Sequence, residues 1–124
     1  MEYHGGVIEI SDNVLKEIAF RSVVEYMKLE NNQKEQKKLK RIINIQRTPE
    51  DHVIITMKNL TVPYGEKIPE YIRGLMKKMK EDIERMTEMR VDAVNIQVDD
   101  VVEKEKIYEQ VDATSEELEE REDE

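Results

Sequence analysis

A long stretch of helical periodicity near the middle of the chain constrains the fold more than any other feature. Between residues 68 and 86, apolar side chains recur at steps of three and four, which at about 100° per residue places them in one stripe along a helix. The members of this stripe are Ile68, Ile72, Leu75, Met76, Met79, Ile83 and Met86. Pro69 and Glu70 suit the first turn, where a missing N–H costs nothing and negative charge is favoured. Such a stripe has to be buried, so the helix predicts a sheet beneath it.

The segments before this helix predict two strands in a hairpin, a further strand and a second helix. Residues 7–10 (VIEI) predict a short first strand, after which Ser11 offers an N-cap oxygen to an amphipathic helix. Residues 30–40 (ENNQKEQKKLK) contain one apolar residue, so we predict a solvated loop there. Residues 41–47 (RIINIQR) and 52–62 predict the hairpin, because the TPED segment between them suits a tight turn.

The second hairpin strand carries a change of apolar phase. Apolar residues alternate up to Met57, but Leu60 and Val62 occupy the other parity. One extra residue in the strand would restore the phase. The pattern therefore predicts a β-bulge at Lys58 or Asn59.

A last strand is predicted after the long helix, because Val94, Ile96 and Val98 alternate with polar residues. The complete order is then β-α-β-β-α-β. This order predicts an α+β fold of the split, ferredoxin-like type, a two-layer sandwich with a four-stranded antiparallel sheet and both helices on one face. The other sheet face is expected to stay open.

The net charge of −9 is unevenly distributed along the chain. Residues 103–124 hold 11 Asp or Glu against 3 Lys or Arg, whereas residues 1–102 are nearly neutral. A terminal block of like charge is typically solvated. We therefore predict an α+β domain at residues 1–102 and an acidic, largely flexible tail at residues 103–124.

The residue inventory argues against catalysis. The chain has no cysteine, its histidines His4 and His52 lie in the N-terminal segment and at a turn, and it has no Gly-rich phosphate loop. We therefore predict that it is not an enzyme and has no catalytic residue, cofactor or metal site. Its apolar runs are far shorter than the roughly 18 residues of a membrane span, and no export signal is recognisable at the N-terminus. We predict a cytoplasmic protein without direct membrane insertion.

Three blocks of the sequence resemble one known family. The opening GVIEISDNVLKEIAFRS, the turn YGEKIPE and the ending MTEMRVDAVNIQVDDVV are similar to the ordered motifs of the alkaline-shock-protein family of envelope stress response proteins, of Gram-positive type. The resemblance covers about residues 5–102. It implies a small non-enzymatic cytoplasmic protein; some members are held at the membrane by a small anchor protein, and others are linked to control of fatty-acid synthesis. The chain departs from the family at ENNQKEQKKLK, at one residue inserted before Tyr64, and at Glu88, where the family usually has glycine.

The turn that leads into the long helix supplies the candidate residues for a protein partner. Tyrosine contributes apolar area and a polar tip at interfaces, and an outward-facing glycine in a helix permits close approach. Gly74 lies about 200° from Ile72 around the helix, so we expect it to face outward. The partner-binding candidates are Tyr64, Gly65, Glu70, Tyr71 and Gly74. The expected partners are proteins, including a small membrane anchor protein or a second copy bound through strand edges or the open sheet face.

Residues 34–41 form a basic segment that supports an alternative. Its cations are Lys34, Lys37, Lys38, Lys40 and Arg41, and they are the candidates for binding an anionic ligand. The alternative functions are therefore nucleic-acid or anionic-surface binding, or small-ligand sensing. Residues 7–10 and 52–62 lack the aromatic residues on which RNA bases stack, which argues against RNA. The acidic tail is expected to screen this segment.

Overall fold

The computed structural model describes residues 5–108 of the chain. Its elements are α1 (Asp12–Met27), α2 (Gln33–Ile42), β1 (Ile43–Arg47), β2 (Val53–Pro63), α3 (Ile68–Thr87), β3 (Val91–Val102) and α4 (Lys104–Tyr108). The sheet has three strands in the order β1-β2-β3; β1 and β2 are antiparallel, whereas β2 and β3 are parallel. Helices α1 and α3 pack side by side on one face of this sheet. The predicted tail beyond residue 108 lies outside the described residues.

The α+β class is confirmed, but the predicted four-stranded antiparallel sheet is wrong. Residues 7–10 do not form a strand, and Val7 and Ile8 are 87% and 89% exposed. In the split fold the first strand would separate the two strands that flank α3. Without it β2 and β3 pair directly, and strands joined by a helical crossover run parallel. Only Ile10 of this segment is held by the domain, through its carbonyl oxygen, which accepts a hydrogen bond from the Arg47 guanidinium at 3.0 Å.

Helix α3 follows its predicted stripe except at one end. Ile72, Leu75, Met79 and Ile83 are buried, but Met86 is 59% exposed. Met86 lines a surface cavity together with Val14, which lies in the first turn of α1 and is also exposed. The prediction that Met86 is buried in the core is therefore wrong.

The end of α3 explains one departure from the family pattern. Glu88 caps the helix in the left-handed conformation at φ +62°, and its N–H donates to the carbonyl oxygen of Glu84 at 2.9 Å. Glycine adopts this conformation without steric cost, whereas other residues are strained there. A glycine at this position in the family is what the cap geometry favours.

The predicted solvated loop at residues 30–40 is wrong, because most of it is helix α2. The side chain of Asn32 caps this helix by accepting the N–H of Glu35 at 3.1 Å, and it also donates to the carbonyl oxygen of Ile107 in α4. Leu39 and Leu29 are buried, and Ile42 is half-buried. Some of the apolar residues that pack α2 against the domain therefore lie outside residues 30–40, the segment that suggested a loop.

The hairpin and its bulge are confirmed. The N–H of Asp51 donates to the carbonyl oxygen of Thr48 at 2.8 Å, which closes the predicted turn. In the pairing of β2 with β3, two residues, Lys58 and Asn59, stand opposite one, Gln97. Asn59 has a φ of +64°, so the extra residue is accommodated by a left-handed kink. Because of this bulge, the core side chains on both sides of it point the same way.

Candidate functional site

The first candidate site is residues 64–70, which comprise the turn between β2 and α3 and the first three residues of α3, and we call it the Tyr64 turn. Its backbone is held at two points. The N–H of Tyr64 donates to the carbonyl oxygen of Val102 at 2.6 Å, which ties the turn to the end of β3. Gly65 adopts a φ of +104°, a conformation that L side chains rarely reach. The sequence therefore specifies one geometry for this turn.

Tyr64 is the most accessible aromatic side chain among residues 5–108 whose exposure is described. It is 70% exposed and lines a shallow cavity of about 380 Å³ together with the residues that open α4. Lys104 in α4 lies with its Nζ 3.4 Å from Oε2 of Glu66, so the turn and α4 are also joined by an ion pair. Gly65 and Glu70 are exposed as well. Three of the five predicted partner residues are thus accessible on one anchored turn.

The other two predicted partner residues face α1. The rings of Tyr71 and Tyr26 pack with their centroids 5.1 Å apart, and the Tyr26 hydroxyl donates to the carbonyl oxygen of Tyr71 at 2.8 Å. A Cβ atom on Gly74 would overlap the same hydroxyl. The expected outward orientation of Gly74 is therefore wrong, because α1 packs on a flank of α3 that the periodicity assigned to solvent.

The Tyr26 hydroxyl is also electrostatically coupled to the Tyr64 turn. Burial raises the pKa of Tyr26, and the nearby Glu66 carboxylate raises it further. The raised pKa extends to higher pH the range in which the hydroxyl donates to the Tyr71 carbonyl oxygen. The contact of Tyr26 with Gly74 and Tyr71 fixes how the start of α3 sits against α1.

The second candidate site is the exposed surface of α2. All five predicted cations lie on this helix and are exposed. Lys34, Lys37 and Arg41 follow at steps of three and four, so they share one face. None of these three forms an ion pair within residues 5–108, whereas the Nζ of Lys38 lies 3.2 Å from Oε1 of Glu35. Lys40 points elsewhere, with its Nζ 4.8 Å above the Phe20 ring. Helix α2 therefore places Lys34, Lys37 and Arg41 in one row of positive charge without ion pairs in the described chain, and we call this row the α2 stripe.

A polar network between α1 and α3 was not predicted from the sequence. Asp82 accepts a hydrogen bond from the Ser22 hydroxyl at 2.6 Å and from Arg85 at 3.1 Å, and its carboxylate also lies 3.2 Å from the Nζ of Lys78. Burial would raise the pKa of Asp82, but these three donors outweigh it and hold the pKa below its ordinary value. Lys78 reaches Glu25 of α1 as well, at 3.0 Å. The network holds α1 and α3 together. The one feature of the sequence that could have indicated it is Ser22, a serine within the apolar stripe of α1.

Two other features are absent from the part of the chain that the structure describes. Between residues 5 and 108, no group of three or more His, Asp or Glu side chains is arranged to hold a metal ion. No helix in that part of the chain is long and apolar enough to cross a membrane.

Comparison with known proteins gives one match. Residues 1–103 match the model of the alkaline shock protein family, which is described as having a cell envelope-related function. No curated protein matches the chain, and no solved structure matches it. The family match spans every described strand and the three long helices.

Proposed function

Because the chain belongs to the alkaline shock protein family, whose function is related to the cell envelope, we propose that it is a non-enzymatic protein-interaction module of an envelope stress response. It works in the cytoplasm by binding a protein partner. That partner is a small membrane anchor protein, through which the module becomes peripheral to the membrane. The contact is made by the Tyr64 turn.

The observation that carries this proposal is an exposed aromatic side chain on a turn with a fixed backbone. Tyr64 is 70% exposed although the turn on which it stands is pinned to β3 and to α4. Tyrosine is among the residues that contribute most to binding at protein interfaces. A turn that is already ordered loses little conformational entropy on binding, so more of the contact energy appears as affinity.

The charges around Tyr64 indicate the chemistry of the partner. Glu103 and Glu105 line the same cavity as Tyr64, together with Lys104. The turn itself adds the exposed carboxylates Glu66 and Glu70 against the one cation Lys67. This surplus favours a partner segment that presents an apolar residue flanked by Lys or Arg. Cytoplasmic segments next to a membrane span are rich in these residues. A small anchor protein therefore has the composition that this surface favours.

The proposal is tested by comparing two exposed apolar side chains at opposite ends of α3. Tyr64→Ala removes the proposed anchor, whereas Met86→Ala removes a side chain of similar exposure far from the turn. We expect Tyr64→Ala to shift the protein from the membrane fraction to the soluble fraction of its own cells and Met86→Ala to leave the distribution unchanged. Equal distributions for both variants and the parent would contradict the proposed contact.

The same module can serve two other protein partners. An enzyme or regulator of fatty-acid synthesis in place of the anchor would link the module to control of lipid synthesis. A second copy of the chain would bind through the open sheet face or through the outer edge of β1 or β3, because within residues 5–108 each of these two strands pairs on one side only. Sedimentation velocity of the purified chain distinguishes a homo-oligomer from a monomer that needs a different partner.

A second candidate function rests on the α2 stripe. Three cations on one helical face without ion pairs in the described chain form an electrostatic footprint for a polyanion or an anionic surface. Replacing Lys34, Lys37 and Arg41 with glutamine should abolish binding to duplex DNA in gel shifts and to anionic vesicles in sedimentation. Binding that survives the triple substitution would exclude the stripe as the site.

A further inference from the structure

The open face of the sheet holds a polar cavity beside the β2 bulge. Its volume is about 510 Å³, within the range of sites for small molecules. The polar side chains that line it come from the end of α2, from β1 and from β2: Arg41, Asn44, Gln46, Thr56, Lys58 and Asn59. The cavity is separate from the Tyr64 turn, and of its lining residues only Arg41 also belongs to the α2 stripe.

The strand pattern explains why these side chains converge. Asn44 alternates with the core residues Ile43 and Ile45, so it points to the open face. It pairs across the strands with Thr56, and Lys58 follows two residues later on the same face. The bulge then adds Asn59, whose left-handed backbone places one more amide at the edge of the cavity.

Helix α2 provides the wall of the cavity. The helix runs directly into β1, and it packs against the half of β2 that extends beyond β1. Arg41, in its last turn, lines this cavity and a smaller neighbouring one of about 160 Å³ between α2 and β2. The two α2 residues that line the cavity, Arg41 and Ile42, were predicted as the start of a strand and are the last two residues of the helix.

The charge of the cavity is opposite to that of the chain. Arg41 and Lys58 both line it, and neither forms an ion pair within residues 5–108, while no carboxylate is among the lining residues. The chain as a whole has a net charge of −9. Two cations beside one cavity repel each other, and a bound anion removes that repulsion.

We propose that this cavity binds a phosphorylated polyol. Arg41 and Lys58 hold the phosphate, because a guanidinium matches two phosphate oxygens and an ammonium adds a point charge. Asn44, Gln46 and Thr56 bind the hydroxyl groups, because amides and hydroxyls both donate and accept hydrogen bonds. No aromatic side chain lines the cavity, so it offers no platform for a nucleotide base.

The phosphorylated polyol can come from two sources with the same chemistry. One source is a soluble sugar phosphate or glycerol phosphate, and the other is the glycerol-phosphate headgroup of a lipid. Glycerol 3-phosphate and vesicles containing phosphatidylglycerol separate these sources experimentally. Glycerol and inorganic phosphate separate the contributions of the hydroxyl groups and the phosphate.

The test is a titration of the full chain, uniformly labelled with ¹⁵N, followed by amide chemical shifts. We expect glycerol 3-phosphate to give saturable shifts at Asn44, Thr56, Lys58 and Asn59. We expect inorganic phosphate to bind more weakly at the same residues and glycerol to give no saturable shift. Shifts restricted to the vesicle sample, at the same residues, would assign the ligand to the lipid headgroup.

A pair of matched variants tests whether the cavity itself is responsible. Lys58→Gln removes a cation that lines the cavity, and Lys77→Gln makes the same change on the exposed face of α3. Lys58→Gln should raise Kd about tenfold or more, and Lys77→Gln should change it less than about twofold. Both side chains are exposed, and an unchanged dispersed spectrum verifies that each variant is folded.

Two results would overturn the proposal. Equal weakening by Lys58→Gln and Lys77→Gln would show diffuse attraction to basic residues in place of a site. The absence of saturable shifts with both glycerol 3-phosphate and phosphatidylglycerol vesicles would show that the cavity binds neither form of the ligand.

Discussion

Replacing Gly74 with alanine tests whether Tyr26 of α1 packs against this position, as in the structure, or whether the position faces solvent, as helix periodicity alone predicts. If Gly74 faced solvent, alanine would stabilise the helix by about 0.5–1 kcal/mol, because glycine is entropically unfavourable within helices. In the structure, the added Cβ overlaps the Tyr26 hydroxyl and lies 3.1 Å from its ring carbon Cζ. The two arrangements therefore predict effects of opposite sign.

The magnitude follows from what the Tyr26 ring can do to avoid the methyl group. The ring is packed against Tyr71 and its hydroxyl donates to the Tyr71 carbonyl oxygen, so moving it costs both contacts. Overpacking of this kind costs about 1–3 kcal/mol, and a lost hydrogen bond costs about 0.5–1.5 kcal/mol. After the gain in helix propensity, we expect a net loss of about 1–3 kcal/mol in the free energy of unfolding.

The assay is urea unfolding of the parent, Gly74→Ala, Tyr26→Phe and the double variant. Tyr26→Phe removes the atom nearest to the new methyl group, so the cost of Gly74→Ala should be smaller in that background, with a coupling of about 0.5–2 kcal/mol. A stabilising effect of Gly74→Ala, or strictly additive effects, would refute the packing of α1 on α3 described above.

Four further outcomes are expected. The pKa of Asp82 is lower in the folded protein than in the unfolded chain, so this carboxyl contributes stability above its unfolded pKa, and that stability is lost as pH falls through the folded pKa. Asp82→Asn should therefore make the melting temperature fall less steeply as the pH is lowered. Thermal melts between pH 2 and 7 check this. Glu88→Gly should raise the free energy of urea unfolding by about 0.5–1 kcal/mol by relieving the left-handed cap. Leu39→Ala should cost about 2–3 kcal/mol in urea unfolding and speed hydrogen exchange in α2, unlike Lys37→Ala. Truncation after Tyr108 should strengthen binding of anionic vesicles at low salt, if the acidic tail screens α2 as predicted; sedimentation checks this.

Local patterns in the sequence were sufficient to predict the elements whose single apolar face packs against one neighbouring layer of the domain. The stripe of α3, the Ser11 cap of α1 and the hairpin were predicted, and the bulge followed from one change of parity at Met57. These features depend on residues close in sequence. Each of them is determined by a periodicity or a cap that a short window contains.

Features that depend on distant segments could not be predicted in this way. Whether residues 7–10 join the sheet depends on competition with the direct pairing of β2 and β3. Helix α2 depends on Leu39 finding a buried position against β2, and the orientation of Gly74 depends on where Tyr26 packs. The open-face cavity depends on where α2 ends, because Arg41 and Ile42 line it. For the candidate site, the accessible part of the Tyr64 turn was predicted, whereas the internal roles of Tyr71 and Gly74 were not.

The most direct test of the proposed function is photocrosslinking from position 64 in living cells. A photoreactive amino acid at Tyr64 should crosslink to one small membrane protein with a basic cytoplasmic segment, and the same group at Met86 should not. Crosslinks from both positions to the same set of proteins, or none from position 64, would contradict a partner site at this turn.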